Sequence, residues 1–293
     1  MNGTSFQSDI RYWLRQGNTV NHLLFWNIII FLALNLLRLV DRFSQSGMYD
    51  WVYSQVALHS NLSIFIVKPW GLITYMFSHV QIFHILFNML NLFWFGNIFR
   101  EMLGNQRVLP VYLLGGLAGG LVYMAAYYLM VHNSMDALMI GASASVMCLL
   151  VAAATQVPNY EIGLLFIGSV KLKWLALALV IIGIITMFDG NFGGVMSHLG
   201  GAAFGFAYIK LLQNGTDMAR PLIWLFTPSE RKSSKQPATK KFKPKKSPLK
   251  IVKKTDENTQ SRLDQLLDKI NEKGYSSLSA EEKAWLEKVS KDS

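Results

Sequence analysis

Long apolar runs alternate with short polar segments from about residue 20 to residue 215, and the remainder of the chain is polar. A transmembrane helix needs about 20 mostly apolar residues to cross ~30 Å of hydrocarbon. The pattern therefore predicts six spanning helices, near residues 23–40, 82–99, 108–131, 139–157, 172–188 and 194–213. Small residues interrupt the fourth run at 141–145, and glycines enrich the sixth, which suits close helix packing in lipid.

Composition agrees with a membrane protein. Of 293 residues, 52% are hydrophobic and 16% are charged, whereas soluble domains carry about 25% charge. The single cysteine, Cys148, excludes a disulfide within the chain and argues against a thiolate metal site. The fold class predicted is an all-α polytopic membrane protein, a six-helix bundle followed by a short soluble helical tail.

Positive charges orient the helices. Loops rich in Lys and Arg stay on the cytoplasmic side. Such residues lie before the first span, between the second and third, before the fifth and after the sixth, whereas the loops near 132–136 and 189–193 have none. We expect both termini to be cytoplasmic, in the plasma (inner) membrane if the source is bacterial.

The charge pattern also divides the chain into four parts. We predict a cytoplasmic N-terminus (1–20), a membrane domain (21–215), a basic disordered linker (216–257) and a small helical cytoplasmic tail (258–293). Eleven Lys or Arg residues, three prolines and no acids fall between Arg231 and Lys254. This segment is either a topogenic spacer or a site for anionic lipid headgroups, and its position beside a membrane argues against nucleic acid.

The tail contains two helical patterns. Leu263, Leu266, Leu267 and Ile270 recur at helix spacing before Gly274. Ser279 and Glu282 then form a capping-box pattern ahead of a second apolar stripe. These patterns predict a helical hairpin.

Polar residues inside spans are costly, so each is a functional candidate. His84 and Asn88 are four residues apart in the second span and share one helix face. Ser143 lies in the interruption of the fourth span, and His198 opens the sixth, with Gly201 on its face. Spans two, four and six run in the same direction, so His84, Ser143 and His198 are expected at similar depth.

These side chains suit nucleophilic catalysis. A serine hydroxyl needs an adjacent base, and His198 could take the proton of Ser143 and return it to a leaving amine. The oxyanion needs fixed donors, which the backbone N–H of Ser143, His84 and Asn88 could supply. Each residue alone has a simpler interpretation: Ser143 as a packing residue, and His84 and Asn88 as interhelical hydrogen-bonding groups.

Taken together, HILFN (84–88), GASA (141–144) and HLGGAAFG (198–205) resemble the rhomboid family of intramembrane serine proteases, over about residues 20–213. The resemblance implies Ser143 as nucleophile and His198 as general base, with His84, Asn88 and the Ser143 backbone as the oxyanion hole. It implies transmembrane protein substrates within the lipid bilayer, and no metal or cofactor.

Three positions depart from the family's usual pattern. Ala144 replaces a glycine after the serine, Met147 replaces an aromatic residue that packs against the base, and Gly71 replaces an arginine after Trp70. None removes a catalytic group. The first alternative is a catalytically inactive rhomboid-like protein that binds or escorts membrane proteins. The second alternative is a transporter. The sequence argues against it, because it contains no internal repeat and no carboxylate within a span.

Overall fold

Each of the six apolar runs forms a helix in the computed structural model, which describes residues 17–130, 136–164, 168–185, 191–226 and 257–291. In chain order the helices are α1 (Thr19–Ser44), α2 (Met48–Val56), α3 (Leu62–Val67), α4 (Gly71–Thr74), α5 (Ile82–Leu103), α6 (Val108–Met130), α7 (Ser143–Gln156), α8 (Leu172–Ile185), α9 (Phe192–Gln213), α10 (Arg220–Phe226), α11 (Glu257–Lys273) and α12 (Ala280–Lys291). The described part of the chain also contains two antiparallel strand pairs: β1 (Leu58–His59) with β2 (Leu138–Met139), and β3 (Glu161–Leu164) with β4 (Gly168–Lys171).

Among the described residues, four helices are long and apolar enough to cross a membrane: α1, α5, α6 with the turn before it, and α9. Helices α7 and α8 have 14 residues each, which is about 21 Å of helix. The segment after α8, 186–190, lies outside the described residues. A mostly helical protein with membrane spans is therefore confirmed, and the number six for the spans stays a prediction.

The fourth apolar run is helical only from Ser143 onward. Leu138 and Met139, at its start, pair instead with β1. Gly141 has φ +131°, a backbone conformation that side chains with a β-carbon rarely adopt and that no α-helix contains. The two strand pairs were not predicted, because strands of two to four residues leave little periodicity in a sequence.

Glycines let α9 pack against both α6 and α7. A β-carbon added to Gly201 would lie 2.2 Å from the carbonyl oxygen of Ala144, and one added to Gly205 would lie 2.4 Å from that of Cys148. The two contacts are four residues apart on each helix and follow the same order, so α9 and α7 run in the same direction and in register. Gly119 of α6 meets α9 in the same way, at the carbonyl oxygen of Ser197. This packing agrees with the glycine-rich interface expected of the sixth span.

A short helix, α10, occupies part of the segment that the sequence analysis assigned to the linker. Asp217 lies just before it, accepts hydrogen bonds from Arg107 at 2.9 and 3.1 Å, and accepts another from the Tyr208 hydroxyl at 3.2 Å. Pro221 suits the first turn of a helix, where its missing N–H has no intrahelical acceptor. The basic residues between Arg231 and Lys254 lie outside the described residues.

The two predicted tail helices, α11 and α12, form a compact unit separate from the membrane domain along the chain. Leu266 and Leu278 are its buried apolar residues. The capping box is confirmed: the Ser279 N–H donates to Glu282 Oε2 at 2.7 Å, and the Glu282 N–H donates to Ser279 Oγ at 3.2 Å. Lys269 adds an ion pair to Glu282 at 2.8 Å, which joins α11 to α12.

We expect Glu282→Gln to increase deuterium uptake in residues 280–284 of the purified protein. Lys269 and the Ser279 N–H hold the pKa of the Glu282 carboxyl below its usual value. The stabilisation that Glu282 gives to the folded hairpin is therefore present above pH 4.5 and is lost as the pH falls through the lower pKa of the folded state. Glu281→Gln is the matched control, because Glu281 has no capping contact among the described residues. Equal uptake in the two variants would contradict this role for Glu282.

Candidate active site

The segment that leads into Ser143 is fastened to the loop between α1 and α5. Strand β2 pairs with β1. The Gly141 N–H then donates to the Tyr75 carbonyl oxygen at 2.8 Å, and the Ala142 N–H donates to His79 Nε2 at 3.1 Å. Both backbone donors that precede Ser143 are therefore engaged, and the approach to α7 has a fixed conformation.

Ser143 is the first residue of α7 and is half-buried. Backbone N–H groups in the first turn of a helix have no intrahelical acceptor, and the positive end of the helix dipole lies there. The Ser143 N–H is thus in a position that suits an anionic oxygen. The predicted interruption in the fourth span is, in structural terms, a helix N-terminus.

His84 lies directly beside this segment. A β-carbon added to Gly141 would be 2.7 Å from His84 Cε1 and 2.8 Å from its Nε2. Gly141 therefore leaves the space that the imidazole occupies. Asn88, one turn along α5, is buried, and its Nδ2 donates to the His84 carbonyl oxygen at 2.9 Å. One of the two amide hydrogens of Asn88 is thereby used within its own helix.

His198 lies on α9, one turn before the residue that touches α7 at Ala144. Because the two helices run in register, His198 is level with the start of α7. Its Nδ1 is buried and has no hydrogen-bond partner among the described residues. A small cavity is lined by His198 together with Met147 of α7 and Gly183 of α8, so Met147 adjoins the histidine in place of the family's aromatic residue.

The hydroxyl of Ser143 and the imidazole of His198 make no hydrogen bond with each other in the described structure, although their helices are in contact. Among the described residues, Asp136 does not complete a triad with these two side chains. Asp136 is bound to His59 and to the Asn61 N–H, and Asp189 lies outside the described residues.

A rhomboid domain family model matches residues 67–214, half of the chain. The chain belongs to the rhomboid family. A second model, described as a family of unknown function, matches residues 253–292 of this rhomboid, which are the tail.

The similar curated proteins are also rhomboid-like. Presenilin-associated rhomboid-like protein A, mitochondrial, of Danio rerio is 32% identical over 139 residues, which are 45% of this chain and 35% of that protein. The Homo sapiens presenilin-associated rhomboid-like protein, mitochondrial, is 29% identical over 136 residues, with the same coverage. RHOMBOID-like protein 12, mitochondrial, of Arabidopsis thaliana is 31% identical over 144 residues, 45% of this chain and 43% of that protein. The matched segments thus span less than half of these relatives.

Two histidines of this rhomboid were not assigned a role from the sequence. His59 binds Asp136, and His79 accepts from the Ala142 N–H. Both lie in the loop before α5, where the sequence gives no periodicity that could place a side chain. The contact of His79 with the residue before Ser143 depends on how the loop folds back onto α7.

Burial, together with His84, lowers the pKa of His79 from 6.5 to about 3. The neutral ring matches its role as an acceptor, since Nε2 must be unprotonated to receive the Ala142 N–H. The rings of His79 and His84 also pack edge to face, with their centroids 5.1 Å apart. His79 therefore supports both the entry to α7 and the proposed oxyanion histidine.

We expect His79→Ala to lower the free energy of unfolding by about 1–3 kcal/mol, because it leaves a buried N–H without an acceptor. The His79→Gln side chain can accept the same bond and should restore much of the loss. Thermal unfolding in detergent measures both. Since protonation of His79 is disfavoured in the folded state, the wild type should also lose stability as the pH falls from 6.5 towards 3, more than His79→Gln does. Equal stability of His79→Ala and wild type would refute this role.

Proposed function

We propose that this rhomboid is an intramembrane serine endopeptidase that hydrolyses peptide bonds in or near transmembrane segments of membrane proteins. The observation that carries the proposal is the contact of Gly201 with the Ala144 carbonyl. It brings the helix of His198 against the first turn of the helix that Ser143 begins. Helix contact at this level supports the assignment of a nucleophile and a base that act together.

In this proposal Ser143 Oγ attacks the carbonyl carbon of the scissile bond while the His198 ring takes its proton. The oxyanion that forms is stabilised by the Ser143 N–H, His84 and Asn88. His198 then donates its proton to the leaving amine, and water, with His198 as base, hydrolyses the ester to Ser143. The substrate needs a locally unwound stretch, because a helix shields its carbonyl carbons from attack.

The membrane arrangement belongs to the same proposal. We infer six spans, with α7 and α8 as the two shorter ones, and both termini on the cytoplasmic side as positive charge favours. The basic segment between Arg231 and Lys254 would lie at the membrane surface, where anionic headgroups attract it. The membrane would be the plasma membrane in a bacterial source, whereas the relatives named above are mitochondrial by name.

The second candidate is a rhomboid-like protein that binds or escorts membrane proteins without cleaving them. The lack of a hydrogen bond between Ser143 and His198 favours it. Against it, catalytic hydrogen bonds often tighten only when substrate is bound.

The test is incubation of the purified protein in liposomes with a panel of transmembrane reporters. Mass spectrometry of the products would locate a new terminus in or next to the reporter's span. In parallel, a fluorophosphonate that reacts with activated serines should label Ser143, identified in the digested protein. If no reporter of the panel is cleaved and Ser143 is not labelled, the result would favour the second candidate, a protein that binds membrane proteins without cleaving them.

A further inference from the structure

A contact between a histidine and an aspartate joins the loop before α5 to the segment before α7. His59 Nδ1 is 2.6 Å from Asp136 Oδ2, and His59 Nε2 is 2.9 Å from the Ser54 carbonyl oxygen. The His59 side chain is 5% exposed and that of Asp136 is 22% exposed. The contact is thus largely shielded from water, and every polar atom of the ring has a partner.

Further hydrogen bonds extend this contact along the chain. The other oxygen of Asp136 accepts the Asn61 N–H at 3.1 Å. The Ala137 N–H donates to Ser60 Oγ, and the Ala137 carbonyl accepts the Ser60 N–H, each at 2.9 Å. The Tyr123 hydroxyl donates to the same carbonyl at 2.7 Å. Residues 136–139 are consequently held at several points.

The same segment continues into the candidate site. After β2, Gly141 and Ala142 are bonded to Tyr75 and His79 as described above, and Ser143 follows. His59 and Asp136 therefore anchor the far end of the strand that presents Ser143. They touch none of the proposed reacting groups.

The hydrogen-bonding chemistry requires one shared proton. A carbonyl oxygen only accepts, so His59 Nε2 must carry a hydrogen to bond Ser54. A second hydrogen must lie between Nδ1 and Asp136 Oδ2, on one atom or the other. Without that hydrogen, two acceptors would face each other at 2.6 Å.

Few other titratable groups of the described residues face this pair. From α3, Lys68 Nζ donates to Ser54 Oγ at 2.8 Å. From α6, Tyr123 interacts electrostatically with Asp136 and with Tyr53 of α2. Lys68 lies on the Ser54 side and favours acceptors there, and the tyrosines are neutral hydrogen-bonding groups near neutral pH.

We propose that His59 and Asp136 are a positioning pair for Ser143: their contact fixes the strand before α7 and with it the start of that helix. This rests on the proposed protease function for its effect on catalysis. Its structural part is independent of that function, since it concerns the backbone of residues 136–142.

The test compares wild type, His59→Gln and Asp136→Asn as full-length protein in detergent, with His22→Gln as a matched control because His22 is exposed. Deuterium uptake of residues 136–142 is measured at one pH for all four proteins. We expect protection in His59→Gln to be about tenfold lower than in the wild type, because the glutamine amide cannot bond Ser54 and Asp136 in the way the two ring nitrogens do.

Cleavage provides the second measurement. We expect His59→Gln to lower kcat by roughly 10- to 100-fold through misplacement of Ser143, with little change in KM. The double variant His59→Gln/Asp136→Asn, in which two amides can pair, should recover part of both losses. His22→Gln should match the wild type.

The outcomes separate this proposal from the protease assignment. Unchanged protection of residues 136–142 in His59→Gln, whatever its kcat, would overturn the positioning pair. Loss of protection as expected in a protein that cleaves no reporter would support the pair and count against the protease. If His59→Gln does not fold, the same comparison of Asp136→Asn with the wild type decides.

Discussion

Replacing Ser143 with alanine should abolish cleavage of transmembrane reporters, by roughly 10³-fold or more in kcat. No other group can form the covalent intermediate in the proposed mechanism, so only uncatalysed attack by water remains. His198→Ala should cause a loss of similar size, because nucleophile and base act as one unit and their losses do not add. Initial cleavage rates of purified variants in liposomes measure both effects.

Ser145→Ala is the matched control for this prediction. Ser145 lies on the same helix as Ser143 and is fully buried, and its hydroxyl has no hydrogen-bond partner among the described residues. Its removal should therefore leave the rate within a few-fold of wild type. If cleavage persists in Ser143→Ala and is lost in Ser145→Ala, Ser145 would be the nucleophile. If cleavage persists in both variants, the mechanism with a serine nucleophile at either position would be wrong.

The second large effect should come from Gly201→Ala, a change of one methyl group. Alanine is favoured over glycine in a helix by about 1 kcal/mol. Here, however, the new carbon would lie 2.2 Å from the Ala144 carbonyl oxygen, an atom of the backbone that cannot rotate away. Overpacking of this kind costs about 1–3 kcal/mol or more. We expect the free-energy cost of the clash to exceed the gain in helix propensity, so α9 should shift away from α7.

This shift should reduce activity more than stability. His198 lies one turn from Gly201, and a displacement of about 1 Å can cost 10²-fold in rate. Thermal unfolding and cleavage are to be measured together. Gly163→Ala is the control, because its β-carbon would have no atom within 4 Å. Full activity of Gly201→Ala would contradict the close contact that the proposed dyad requires.

Much of the fold was predictable because membrane helices must satisfy every backbone hydrogen bond internally, which requires long apolar runs. The starts of α5, α6 and α8 agree with the predicted spans at residues 82, 108 and 172. The start of α7 does not agree with the predicted fourth span, because it depends on the positive φ of Gly141 and on the pairing of β2 with a strand distant in sequence. The periodicity of apolar residues gives no information about which distant strands pair.

The sequence by itself determined the membrane class, the family and the four candidate residues Ser143, His198, His84 and Asn88, because polar residues are rare enough in spans to be conspicuous. Only the tertiary structure decided what holds them. His59, His79 and Asp136 lie in connecting segments, where solvation makes polar residues ordinary in a sequence. Their roles arise when the loop before α5 folds onto the strand before α7. Such contacts between distant segments depend on geometry that no local pattern encodes.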